Sequence, residues 1–169
     1  MASDGGLGQG GLTMRFDYFD DPAAPPVNSV VPSVTVAVQD DAGRLLLIHR
    51  TDNDLWALPG GGIDPGETVR EAGVRETEEE TGYRVRITGL VGIYTDPRHV
   101  IVYSDGEVRA QFSICMRGTV TGGTARTSVE SSEVVWQQVD KLGELEIHPS
   151  MRLRIEHAVD PTRTQPFLT

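Results

Sequence analysis

The 169-residue sequence predicts one α/β (α+β) domain, a mixed central sheet flanked by helices rather than a repeating βαβ wind. Three observations predict it. Runs with strand composition, such as "VVPSVTVAVQ" and "RLLLIHR", dominate the chain. Strands follow strands directly, so strand and helix do not alternate. One acidic helical stretch interrupts the strands, and a second helical stretch closes the chain.

Taken in order, residues 1–28 are expected as a flexible N-terminal arm. "MASDGGLGQGG" is Gly-rich and aperiodic, a disordered lead-in. "FDYFDDPAAPPVN" mixes aromatic residues with prolines and reads as an irregular arm. Its Phe16, Tyr18 and Phe19 could cover either this domain's own sheet or a neighbouring subunit, which leaves a homodimer open. The folded domain is expected over residues 29–160, followed by a tail at 161–169. Within it, "VVPSVTVAVQ" and "RLLLIHR" are strands joined by "DDAG" as a hairpin turn. "WALP" leads into "GGGIDPGE", a loop with four glycines and a proline, and then the acidic helix. "YRVRITGLVGIYT" is a strand, and "HVIVYS" pairs with "EVRAQFSICMRGTV" around an Asp-Gly turn. "VVWQQV" is a further strand, and "DKLGEL" and "PSMRLRIEHAV" are helical.

Composition excludes several function classes. The chain has 15 basic and 25 acidic residues and a net charge of −10. It therefore has no general electrostatic footprint for nucleic acid or an anionic membrane. If its substrate is an anion, the sign must be reversed locally, and a bound metal does so most simply. No apolar run approaches the roughly 18–20 residues of a membrane span, and the N-terminus lacks a signal-peptide layout. A lone cysteine, Cys115 in "FSICM", rules out an internal disulfide and reads as a packed core residue. These features suit a cytoplasmic location.

The acidic stretch "TVREAGVRETEEETG" carries the chemistry. Thr68 and Glu71 form a capping-box match, and Gly82 fits the position just past the helix end, so the helix is expected from Val69 to Thr81. At about 100° per residue, Val69, Ala72 and Gly73 share one face. Glu76, Glu79 and Glu80 continue that same face. Arg75 lies off it, with Glu71, Glu78 and Glu79 at pairing distance along the helix. An acidic helical run by itself describes a solvated surface. Here the acids extend a packing face, and a Gly-rich loop leads straight into them. Hard oxygen ligands in this arrangement suit Mg²⁺ or Mn²⁺. The loop is neither a phosphate-binding Gly-Lys-Ser/Thr loop nor a dinucleotide fingerprint.

Loop and helix together resemble the Nudix box. That signature is Gly, five residues, Glu, seven residues, then Arg-Glu-apolar-any-Glu-Glu-any-Gly-apolar. It falls on Gly61, Glu67, Arg75, Glu76, Thr77, Glu79, Glu80, Gly82 and Tyr83, with Thr77 in an apolar slot as the one departure. The resemblance extends over roughly Val30 to Leu145.

The resemblance implies an α/β/α sandwich and a pyrophosphohydrolase acting on a nucleoside diphosphate linked to another group. It implies a small-molecule nucleotide substrate and Mg²⁺ or Mn²⁺ held by Glu76, Glu79 and Glu80, with the Gly60 carbonyl assisting. Arg75 would orient the glutamates, and Glu67 would stabilise the loop. The general base stays open between Glu76 and Glu79 inside the box and, beyond it, Glu130 or Glu133 of "SVESSEVVW", which also read as surface acids. Gly61 and Gly62 would let the backbone approach substrate, with Arg50 and Arg98 as candidate phosphate contacts. Trp56, Tyr94, His99 and Tyr103 could stack a base or serve as core. His148 and His157 read as surface or packing residues. The alternative is a nucleotide-sensing module that binds without cleaving; such relatives usually lose box acids, and this chain keeps all of them.

Overall fold

Alternating apolar side chains build the two halves of the core. The computed structural model describes residues 14–169; the Gly-rich lead-in lies outside the described residues. The strands are β1 (Arg15–Phe19), β2 (Ser29–Val30), β3 (Ser33–Val38), β4 (Leu45–Arg50), β5 (Trp56–Ala57) and β6 (Gly60–Gly62). Helix α1 (Val69–Thr81) follows, then β7 (Tyr83–Tyr94), β8 (His99–Tyr103), β9 (Val108–Ala110), β10 (Ser113–Gly123) and β11 (Ser131–Gln137). A 3-10 turn at Val139–Glu144, helix α2 (Pro149–Val159) and β12 (Phe167–Leu168) complete the chain.

A mixed five-stranded sheet in the order β12-β7-β10-β3-β6 forms the middle layer. In β3, Val34, Val36 and Val38 point to one side with Leu46, Ala72 and Met116, beneath α1. Ala37 of β3 points to the other side with Leu45, Leu47 and Cys115, beneath Ile155 and Ala158 of α2. The period-2 alternation of strands therefore sends two apolar sets to opposite helices. The result is the mixed-sheet α/β/α sandwich expected. Cys115 is fully buried in it.

Three details differ from the expectation. The arm residues Arg15–Phe19 are not irregular: β1 pairs antiparallel with β8, Tyr18 opposite Val100. Tyr18 and Phe19 therefore have an intramolecular home, while Phe16 stays 54% exposed. Second, β3 and β4 do not form a hairpin ladder. Only Gln39 and Leu45 bridge across the turn, and β4 joins β11 and β5 in a separate sheet. Third, "EVRAQFSICMRGTV" breaks at Gln111–Phe112, so that β9 joins the β1-β8-β9-β2 sheet and β10 the central one. The expected tail also supplies β12, parallel to β7.

Helix α1 has the expected bounds. The Thr68 side chain accepts from the Glu71 amide, and Glu71 accepts from the Thr68 amide. Gly82 ends the helix in the left-handed region at φ 77°. Thr77, in the apolar slot, is buried and satisfies its hydroxyl by donating to the Gly73 carbonyl at 2.7 Å. No helix among the described residues is long and apolar enough to cross a membrane. Replacing the cap, Thr68→Ala, is expected to lower unfolding free energy by about 1 kcal/mol. Urea titration of the two proteins measures it, and coincident midpoints would show that the cap contributes nothing.

Candidate active site

The site starts from bare backbone. Strand β6 consists of Gly60, Gly61 and Gly62, paired with β3 so that Gly60 faces Thr35 and Gly61 faces Val34. Gly60 has φ 154°, and a Cβ there would run into the Val34 carbonyl. A Cβ on Gly61 would lie 2.5 Å from Glu76 Oε1. Only glycine lets α1 lay carboxylates against this strand.

Arg75 ties helix and loop together. Its Nε and Nη2 donate to the two Glu67 oxygens at 2.6 and 2.8 Å. Its Nη1 donates to Glu76 Oε1 at 2.9 Å and Glu79 Oε2 at 3.1 Å, and Nη2 also reaches the Gly62 carbonyl at 3.2 Å. Of the partners that the helix spacing suggested, Glu79 is observed, and Glu71 and Glu78 are not. Glu71 is occupied by the Thr68 cap, and Glu67 arrives from the loop. The Arg75 guanidinium beside Glu67 brings that carboxyl down to about 2.

Glu80 is 2% exposed. Its Oε2 accepts from the Gly60 amide at 2.7 Å, while Oε1 is buried without a partner. Gly60 was expected to act through its carbonyl; the contact it makes to the acids is through its N–H. Burial pushes the Glu80 carboxyl up to about 8, against the pull of Arg50 and the Gly60 amide. Burial also raises Glu76, with the charges of Glu79 and Glu130 adding to it. Glu79 is 60% exposed and faces solvent.

Glu130 is brought to these acids from fifty residues away in sequence. Ser131 Oγ donates to the Glu80 carbonyl at 2.6 Å, and the Arg126 amide donates to the Thr81 carbonyl at 2.8 Å. These bonds pin the segment before β11 to the end of α1. The Glu130 charge is felt at both Glu76 and Glu80. Glu133 instead sits opposite His49 on β11, exposed.

Beside β6 opens a cleft of about 640 Å³, lined by Gly60–Gly62, Arg50, Glu130 and Trp56, with Tyr103 and Arg109 of the second sheet opposite. Arg50 pairs with Asp52 at 2.6 Å; burial pulls its pKa down, but Asp52 and the charges of Glu80 and Glu130 hold it up overall. Arg98 is not brought to the cleft. Its guanidinium turns to Asp96 at 2.7 Å and stays largely exposed. Tyr94 is core, hydrogen-bonded to His157 at 3.0 Å. His99 is 1% exposed and bonds Asp17 at 2.6 Å. His148, expected at the surface or in packing, lines the cleft, and burial lowers it to about 4. Arg15 and Arg154 also line it, and neither carries a motif in the sequence.

Among the described residues only one group of three brings its metal-ligating atoms within 4.8 Å of one another, and it is not the three helix glutamates. Asp17, His99 and His148 lie close together. However, Arg15 already occupies both Asp17 oxygens at 2.7 and 2.8 Å, which satisfies the acid without a metal ion. Glu76, Glu79 and Glu80 differ. Their set is all oxygen, Glu80 Oε1 is orphaned, and two of the carboxyls resist ionisation as they stand. That chemistry fits Mg²⁺ or Mn²⁺.

The NUDIX domain model matches residues 30–157. The chain belongs to the Nudix hydrolase family. Among Nudix relatives, a MutT-like protein of Streptomyces ambofaciens is 39% identical over 121 residues, covering 72% of this chain and 71% of that protein. A putative 8-oxo-dGTP diphosphatase of Bacillus subtilis is 37% identical over 63% of this chain and 66% of its own length. An ADP-ribose pyrophosphatase of Methanocaldococcus jannaschii is 34% identical over 68% of this chain and 66% of its own. The chain thus spans about two thirds of the length of these last two Nudix relatives. The Nudix fold is shared with a crystallised ADP-ribose pyrophosphatase from Streptococcus suis, at TM-score 0.64 and 18% identity over 83% of this chain and 98% of that one.

The raised Glu80 carboxyl sets a pH dependence. Without metal, the folded protein keeps a proton that the unfolded chain releases above 4.5, so this contribution to stability is present at low pH and is lost as pH rises toward about 8. His148, lowered from 6.5 to about 4, acts in the opposite sense, but only below 6.5. Between pH 6.5 and 8 in EDTA, the wild type should lose about 1–2 kcal/mol relative to Glu80→Gln. Thermal melts of both proteins across that window test it, and parallel Tm curves would refute it.

Proposed function

We propose that the protein is a metal-dependent pyrophosphohydrolase that cleaves the diphosphate bond of a nucleoside diphosphate linked to another moiety. ADP-ribose, nucleotide sugars and nucleoside triphosphates, oxidised ones included, are the candidate substrates. The carrying observation is that Glu76 and Glu80 lie against a bare glycine strand that lines the cleft, with the Glu130 charge acting on both and one Glu80 oxygen left without a partner. The names of the Nudix relatives, an ADP-ribose pyrophosphatase and a putative 8-oxo-dGTP diphosphatase among them, support the substrate class.

Each residue then has a task. Glu76, Glu79 and Glu80 would hold a divalent cation, with Gly60 N–H fixing one Glu80 oxygen. When bound, it would supply positive charge near the diphosphate and lower the pKa of a bound water. Arg75 and Glu67 position the carboxylates through a guanidinium that bridges loop and helix. Gly61 and Gly62, without side chains, let the diphosphate lie against the strand. Arg50, at the cleft edge, supplies positive charge toward the phosphates. The water must lose a proton as it attacks phosphorus. Glu130, held at the cleft and outside the Arg75 network, is the acceptor this reading favours, with Glu76 and Glu79 as the alternatives.

Incubation with Mg²⁺ or Mn²⁺ and a panel of such substrates is expected to release a nucleoside monophosphate. Silence across the whole panel with both metals would count against the proposal and favour a binding-only module. Glu79→Gln and Glu130→Gln should each lower kcat by at least ~10²-fold. Glu133→Gln, on the exposed strand, should stay near wild type. A Glu130→Gln enzyme of normal kcat would remove Glu130 as the base.

A further inference from the structure

The cleft holds a charge that nothing among the described residues balances. Arg154 of α2 lines the cleft and is 6% exposed. Among the described residues it makes no ion pair and donates no hydrogen bond, and its Nε is buried without a partner. Its one aromatic neighbour is the Tyr94 ring, with the guanidinium carbon 5.7 Å from the centroid. The adjacent Cys115 thiol offers no negative charge, because burial raises its pKa. The nearby acid is Asp17, which is already spent on Arg15 at 2.7 Å and His99 at 2.6 Å. Arg15 lines the same cleft. Arg15, Asp17 and Arg154 therefore leave a surplus positive charge inside a chain of net charge −10.

A buried guanidinium without an anion costs several kcal/mol, and protein interiors normally pair it. Burial draws Arg154 down to about 10, so it stays charged at neutral pH. Ser113 Oγ, on the floor of the same cleft, is also buried without a hydrogen-bond partner. A planar guanidinium and a hydroxyl facing one cavity are the donors that a phosphate or carboxylate takes.

We propose that the cleft contains an anion subsite built on Arg154, with Ser113 as a second donor. The substrate then carries a further anionic group, a phosphate ester or a carboxylate, remote from the diphosphate that is cut. This rests on the hydrolase reading for the direction of the substrate, but the subsite itself binds without turnover.

The test uses the full chain in EDTA, where no hydrolysis occurs. Thermal melts are compared in phosphate, acetate and chloride at equal ionic strength, for wild type, Arg154→Met and Glu79→Gln. At about ten times its Kd the bound anion should raise Tm by about 3 °C in wild type and Glu79→Gln, and not in Arg154→Met. A rise with phosphate alone assigns a phosphate-bearing substrate, and a rise with acetate alone assigns a carboxylate. No rise in wild type with either, or an equal rise in Arg154→Met, overturns the subsite. Should Arg154→Met fail to fold, a crystal structure of the wild type grown in phosphate decides instead: an anion against the Arg154 guanidinium supports the proposal, and its absence there overturns it. Turnover plays no part in these readouts. Loss of the hydrolase reading would leave the subsite result standing, and a failed subsite would leave the hydrolase reading intact.

Discussion

One guanidinium stands between carboxylates that would otherwise drive the loop and the helix apart. Arg75 bonds Glu67 from the loop, Glu76 and Glu79 from α1, and the Gly62 carbonyl from β6. Four partners on one planar donor fix the loop's path as well as the directions of the acids. A lysine could not make these bonds together, because it lacks the rigid fork. Glu80 lies beyond this guanidinium's reach and is held instead by the Gly60 amide. The site is thus assembled from both sides of β6. It stays under electrostatic tension, with the Glu76 and Glu80 carboxyls both raised by burial.

The sandwich sets where that tension falls. Val34, Val36 and Val38 pack beneath α1, so the helix's small residues Ala72 and Gly73 sit against the sheet. The same face, continued by one turn, delivers Glu76 and Glu80 to β6. The second sheet closes the cleft opposite, through Tyr103 and Arg109. Glu130 and Arg154 line the same cleft. In a protein of net charge −10, the buried arginine is the local departure from the general field.

Much of this was legible from local chemistry. The bounds of α1 follow from Thr68, Glu71 and Gly82, because caps act within four residues of themselves. The choice of Glu76, Glu79 and Glu80 over Glu78 follows from helix periodicity. Sequence spacing found the Arg75 pair with Glu79 but missed its shortest contact, to Glu67, eight residues away across a loop. It also placed Arg98 at the substrate, whereas Asp96, two residues before it, takes that guanidinium. The strand at Arg15–Phe19 was hidden because its pairing partner lies more than eighty residues downstream.

The sequence by itself determined the local structures. Capping, glycine-rich backbone, helix period and the box spacing are all short-range and are written in adjacent residues. Tertiary structure alone decided which distant groups share the cleft. Glu130 is brought toward Glu80 by the bonds from Ser131 and Arg126 to the end of α1. Arg154 is an ordinary basic residue of an amphipathic helix until α2 packs it into a cavity beside an Asp17 already committed to Arg15. Whether a charge is paired depends on the contacts that folding brings to it, and no spacing along the chain encodes that.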